Sequence, residues 1–239
     1  EPVGTILIQN IMRRARSEGK GIVALDPTNE YEEVAKDLGL DYVVPDVLGL
    51  DPTKLYKYDM LSSDDIAHFI AETIEPHLMN VQSISELANL IVNDKVYGGD
   101  LIEVKPNQVV SLRNFWGESM RKAGFLLPSV LSNMMDKTKG TVYAIDYAWK
   151  FYSPYMLGKL IEKSERTKNV LVFTYMTHTL SPDTIRLFST TDAIVVVWFD
   201  YVVESGTFEV LKKFGLTKDD MYNMLTSGAY SHVVLKREH

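Results

Sequence analysis

Three apolar runs in this 239-residue chain each end in a polar cluster, and those clusters hold the side chains best suited to chemistry. Asp26-Pro27-Thr28-Asn29-Glu30-Tyr31 follows Gly21 to Leu25. Asp146-Tyr147-Ala148-Trp149 follows Thr141 to Ile145, and Thr174-Tyr175-Met176-Thr177-His178 follows Val170 to Phe173. Asp146 is a carboxylate able to hold a metal-bound water. Asp26 and Glu30 could line the edge of a ligand, with Thr174 and Thr177 facing the same cleft. Each has a plainer reading. Asp-Pro-Thr-Asn is good turn chemistry, Glu30 suits the start of a helix, Asp146 could cap the turn that follows it, and strand-end threonines are common without function.

Other residue types exclude more than they suggest. With no cysteine there is no disulfide framework and no thiolate site. His68, His77, His178, His232 and His239 show no metal-ligand spacing, so a zinc site is not expected. Arg166, in Ser164-Glu165-Arg166-Thr167-Lys168, could act across a subunit boundary or simply sit at a helix C-terminus, where the macrodipole favours cations. Trp116 and Trp149 could serve a partner surface or pack at a boundary. A net charge of -7 argues against a broad basic footprint for nucleic acid, although a narrow channel could still hold DNA through local charge. The longest apolar stretch, Ala193 to Phe199, has a strand's length rather than a membrane span's. Without a signal peptide at Glu1-Pro2-Val3-Gly4, the expected location is the cytoplasm.

Positioning those clusters requires strands that end together. Leu7, Ile8, Ile11, Met12 and Ala15 recur at helical spacing, largely opposite the arginines, which predicts a helix over Thr5 to Glu18 stopped by Gly19 and Gly21. A strand over Gly21 to Leu25, a helix over Glu30 to Leu38 and a strand over Asp41 to Val44 follow. Ser62 to Lys137 reads as mainly helical, with a cap at Ser62-Ser63-Asp64-Asp65 and interruptions at Gly98-Gly99 and Pro106, around which short extended pieces are expected. Strands over Thr141 to Ile145, Val170 to Phe173 and Ala193 to Phe199 then alternate with helices. The helix Lys218 to Leu225 precedes a last strand, His232 to Leu235. That alternation predicts one domain over 1–239, an α/β fold with a mainly parallel sheet and helices on both faces, with 62–137 as a helical insertion. In such sheets ligands bind beyond the carboxyl ends of the strands.

In this order the motifs resemble the HerA/FtsK superfamily of RecA-like motor domains, which includes conjugation and type IV secretion ATPases and viral packaging motors. Gly21 to Tyr31 is similar to that family's strand and D-P-x-G-E-Y turn. The strand ending at Asp146, with Ala148-Trp149 behind it, resembles the Walker B segment, commonly D-E-A-W. Val170 to Thr174 resembles the next strand, and Gly215 through Met224 to Gly228 the closing helix and glycine turn. The resemblance implies a RecA-like fold with a nucleotide site at Gly4, Thr5, Asp26, Glu30, Asp146 and Thr174. Thr5 and Asp146 would hold magnesium if a nucleotide-magnesium complex binds. It also implies a homo-oligomer, or a ring shared with an active paralogue.

The chain departs from the family where hydrolysis takes place. Nucleotide hydrolysis needs a phosphate-binding lysine, a magnesium-binding hydroxyl and an acid to orient water. The family's spacing puts the lysine position at Gly4 and the hydroxyl at Thr5, and no G-x-x-x-x-G-K-[ST] motif occurs. The catalytic acid position falls on Tyr147, which cannot act as a base near neutral pH, and the sensor glutamine position falls on Tyr175. Losses at all the chemical positions, with the structural ones spared, are not what misalignment produces. The expectation is a non-hydrolysing domain with no catalytic residue and no bound cofactor, Tyr147 and Tyr175 filling the space beside Asp26, Asp146 and Thr174. ATP and magnesium would be expected only if residues upstream of Glu1 supply the missing loop and its strand, or if Thr5 to Gln9 is itself that strand. Two further readings stay open: an active ATPase with that loop upstream, and an unrelated parallel-sheet interaction protein.

Overall fold

The computed structural model describes residues 3–73, 95–150, 152–176, 179–189, 193–198, 212, 217–226 and 232–235. The chain opens with α1 (Val3–Ser17), so Thr5 to Gln9 is helix and not strand. Thr5, Ile8, Gln9, Met12 and Ala15 form its buried stripe, while Asn10, Arg13 and Arg14 face solvent. Gly19, at φ 72°, turns the chain into β1 (Ile22–Asp26). Next come α2 (Glu32–Leu38), closed by Gly39 in the left-handed region, and β2 (Asp41–Val43). α3 (Pro52–Lys57) and α4 (Ser63–Thr73) follow, then β3 (Gln108–Ser111) and α5 (Glu118–Met135). β4 (Val142–Ile145), α6 (Pro154–Thr167), β5 (Val170–Met176), α7 (Pro182–Ser189), β6 (Ile194–Trp198), α8 (Lys218–Thr226) and β7 (His232–Leu235) complete the described elements.

The strands form one seven-stranded sheet in the order β2-β3-β1-β4-β5-β6-β7. Six are parallel, and β7 pairs antiparallel with β6. The anticipated strands at 21–25, 141–145, 170–173 and 193–199 thus share one mainly parallel sheet, although Phe199 itself lies outside the described residues. β3 is the addition. It falls inside the stretch read as mainly helical, yet it pairs with β1 on one side and β2 on the other.

Alternate residues divide the core between the two faces of the sheet, as the pleat requires. Ile22, Ala24, Val109, Val142, Ala144 and Val172 meet Ile8, Met12 and Ala15 of α1 and Val34 and Ala35 of α2. Val23, Leu25, Val110, Tyr143, Ile145, Leu171 and Phe173 turn to the other face, against Phe69 of α4, Phe125 and Leu126 of α5 and Leu157 of α6. Because both faces are covered, the strands read as near-continuous apolar runs. Their parallel direction delivers Asp26, Asp146 and Thr174 to one edge.

Candidate functional site

Register places the three residues side by side. Leu25 pairs with Ile145, and Ile145 pairs with Phe173. Asp26, Asp146 and Thr174 each come one residue later, so they lie at one level across three adjacent strands. All three are fully buried.

Asp146 is the hub. The Thr174 hydroxyl donates to its Oδ1 at 2.5 Å and the Tyr147 backbone N–H at 2.9 Å. The Thr5 hydroxyl and the Tyr31 phenol donate to its Oδ2 at 2.7 and 3.0 Å. Burial pushes the Asp146 carboxyl above its usual range, against the opposing pull of the Thr174, Thr5 and Tyr31 hydroxyls. Asp26 organises the neighbouring turn. Its Oδ1 accepts from the backbone N–H of Thr28 and of Glu30, and its Oδ2 from the N–H of Tyr31 at 3.0 Å and the Tyr42 phenol at 2.8 Å. Tyr31 therefore joins the two carboxylates, by its backbone to Asp26 and by its phenol to Asp146. The turn reading of Asp26 and the cleft reading hold at once: Asp26 shapes the turn, and the turn sets the wall of the site.

Gly4 and Thr5 lie buried in the first turn of α1. Glu30 is tied through its backbone carbonyl, which accepts from Gln9 Nε2 at 3.1 Å. Its Oε2 is buried with no hydrogen-bond partner. Six sequence-selected residues thus come together around one corner of the sheet.

Tyr147 sits on this corner with φ 53°, a left-handed backbone that a tyrosine rarely adopts. Its N–H also meets Thr174 Oγ1 at 2.7 Å, and its phenol meets the Thr5 hydroxyl. Burial and the negative charges of Asp146 and Glu30 drive that phenol's pKa up, so it stays neutral. Tyr175 does not join it. Strand alternation turns its ring to the opposite face, where it packs edge-on against Phe188 at 5.2 Å, and burial holds its phenol at about 12. Arg166 is equally remote, in the last turn of α6 leading to the amino end of β5, lining a cleft with Asp136, Glu162 and Lys163. Thr177 and His178 lie outside the described residues.

Two participants, Tyr42 and Lys150, carried no signal in the sequence, and a third, Tyr31, carried one for the turn alone. Tyr31 belongs to the D-P-x-x-E-Y turn, but its reach to Asp146 depends on the pairing of β1 with β4. Lys150 places its Nζ 4.8 Å from the Tyr147 ring centre and 5.3 Å from that of Trp116.

A nucleotide-magnesium complex poised for hydrolysis does not fit these residues. Thr5 and Asp146 are the correct pair for a magnesium corner. However, the Asp146 oxygens already accept from four protein donors, the hydroxyls of Thr174, Thr5 and Tyr31 and the Tyr147 N–H. Among the described residues no cluster of three metal-ligating side chains exists. None of the described helices is long and apolar enough to cross a membrane.

No family model matches the chain, and no curated protein matches it. A solved structure does: VirB4 of Thermoanaerobacter pseudethanolicus, at a TM-score of 0.65 and 14% identity, over 100% of this chain and 87% of that one. The fold is similar to VirB4. At that identity the likeness concerns the fold alone, a RecA-like α/β sheet, and leaves activity to be argued from the site.

Proposed function

We propose that this chain is a RecA-like motor-type domain of the HerA/FtsK kind that does not hydrolyse nucleotide, working in a DNA translocation, conjugation or packaging system. The observation that carries the proposal is the Thr5–Asp146–Thr174 corner, intact in its hydrogen bonds, with a tyrosine where the chemistry needs an acid. The likeness to VirB4 supports the fold side of this reading. The domain would contribute folded surface to an assembly, as a homo-oligomer or in a ring with an active paralogue, while ATP chemistry belongs elsewhere. Gly4, Thr5, Asp26, Glu30, Asp146 and Thr174 are then the walls of a vestigial nucleotide site.

Steady-state phosphate release from magnesium-ATP tests this. This chain should release phosphate no faster than a buffer blank, since residues 1–239 offer neither the lysine that stabilises the transferring phosphoryl group nor the glutamate that orients water. Turnover that persists through purification and disappears in Asp146→Ala would defeat the proposal. It would favour the second reading, an active ATPase whose phosphate loop precedes Glu1, for which the Thr5–Asp146 contact at 2.7 Å is the specific support.

A further inference from the structure

On the face of the sheet away from α1, α5 and α6 each carry a polar stripe where helix packing ordinarily buries apolar groups. The stripe on α5 is Ser129, Ser132 and Asn133, continued by Asp136 at its end, and the stripe on α6 is Lys159, Glu162, Lys163 and Arg166. Both keep the i, i+3, i+4, i+7 spacing of a single helix face. With Asp65 and the turn before α4, the two stripes line a cleft of about 320 Å³. Its floor is buried and its rim is not: Ser129 is 4% exposed, whereas Asp59, Glu162 and Arg166 are exposed, so the cleft opens to solvent. Two ion pairs brace its walls, Lys159 with Asp65 and Lys163 with Asp136, each at 2.5 Å. The neutral groups are the uncommitted ones. The Ser129 hydroxyl is buried with no hydrogen-bond partner, and Ser132 and Asn133 make no side-chain hydrogen bond among the described residues. A buried hydroxyl left unpaired costs stability, which a partner inside the cleft would recover.

We propose that this cleft binds a neutral, polyhydroxylated small molecule, a cyclic polyol or a monosaccharide. The lining decides the class. An anion would meet four carboxylates and a cation three cations, so a ligand of either sign competes with a bracing ion pair. An uncharged ligand leaves both pairs intact. Its hydroxyls donate and accept, as the side chains of Ser129, Ser132 and Asn133 also do. An apolar ligand would leave those three unpaired and find only Met60 among the described lining residues. The volume equals the liquid share of about ten waters, enough for one six-membered ring with its hydroxyls. This site is separate from the Thr5–Asp146–Thr174 corner, and its test does not depend on how that corner is read.

Saturation-transfer NMR with inositol and with glucose tests the proposal. At least one of the two should bind with a Kd on the order of a millimolar, the range open to about twelve non-hydrogen atoms in an open cleft. Because the ligand carries no charge, affinity should be the same in low salt and in about 0.5 M salt. Ser129→Ala and Asn133→Ala should each weaken binding by about threefold to tenfold. Ser17→Ala, an equal hydroxyl loss on α1, should leave it unchanged. Binding that is equal in wild type and both cleft variants would lie elsewhere and overturn the proposal. So would binding of glycine betaine or sulfate in place of the polyols, with an affinity that falls as salt rises, since the cleft would then be an ion site. Absence of polyol binding sinks the proposal outright, and a lowered thermal midpoint of ligand-free Ser129→Ala would then assign that hydroxyl to water.

Discussion

Among the described residues Asp146 has no cationic partner at hydrogen-bond distance, and its burial is sustained by four donors instead. Charge-assisted hydrogen bonds of this kind exceed neutral ones in strength, and losing their acceptor leaves buried donors unpaired. Asp146→Ala should therefore destabilise the protein by about 3 kcal/mol, read from the denaturant midpoint. A loss under about 1 kcal/mol would mean that the network is loose. The pH dependence has a definite sign. Because burial raises this carboxyl in the folded state, ionisation costs stability; the cost is absent below the unfolded value near 3.8 and grows as pH rises through the native value. Measured against Asp146→Asn, wild type should lose stability as pH rises across that interval. The row Asp26–Asp146–Thr174 was legible in the sequence because each residue ends an apolar run, and parallel strands end together. Tyr175 was misplaced by reading it as Thr174's neighbour in space. Adjacent strand residues point to opposite faces, so if Thr174 faces Asp146 then Tyr175 cannot.

At the level of elements, α4 is joined to α6 by a polar clasp with the opposite pH signature. Asp65 accepts from the Ser62 N–H at 2.7 Å and the Ser62 hydroxyl at 2.8 Å, which is a helix cap. Its other oxygen takes the Tyr155 phenol at 2.9 Å and the Lys159 ammonium at 2.5 Å. Burial alone would raise this carboxyl, but the Lys159 and Ser62 contacts outweigh it and hold Asp65 below the usual carboxylate range. The stability it contributes is complete above 3.8 and is lost as pH falls through the lower native value. The stability gap between wild type and Asp65→Asn should therefore close on acidification, and a gap that widens instead would show that the clasp is not ionic. The cap itself was readable from Ser62-Ser63-Asp64-Asp65. The clasp was not, since Tyr155 and Lys159 lie about ninety residues away. The bounds and partners of β3, beyond a short extended piece near Pro106, escaped notice for a related reason. Gln108–Ser111 is four residues long between Pro106 and Arg113, too short for its period to register, and only pairing on both edges makes it a strand. For β7, nothing in His232–Leu235 encodes direction; the antiparallel pairing with β6 belongs to the connection rather than the run.

Over the whole molecule, a single sheet serves two cores, and this bears on whether 1–239 unfolds as one domain. β1, β4 and β5 contribute alternate residues to each face, so neither core can open without exposing strands that the other needs. Ile8 on α1 is fully buried on one side, and Phe125 on α5 is 1% exposed on the other. The two helices come from distant parts of the chain and meet only through the sheet. Removing side-chain volume at such sites costs about 2–5 kcal/mol for Ile→Ala and about 3–5 kcal/mol for Phe→Ala. If the chain is one cooperative unit, Ile8→Ala and Phe125→Ala should each shift a single denaturation transition, and circular dichroism and tyrosine fluorescence should report the same midpoint. Their separate costs should add in the double variant to within about 0.5 kcal/mol, because the sites share no partner side chain and lie on opposite faces. Two separable transitions, with Ile8→Ala moving one and Phe125→Ala the other, would divide the chain into units and reject the single-domain reading. The Thr5–Asp146–Thr174 corner lies on the α1 face, in the layer that Ile8 anchors. Ile8→Ala should thus also loosen the Thr5–Asp146 contact, seen as earlier hydrogen exchange at the Tyr147 amide, while Phe125→Ala at matched stability leaves that amide's protection as it was.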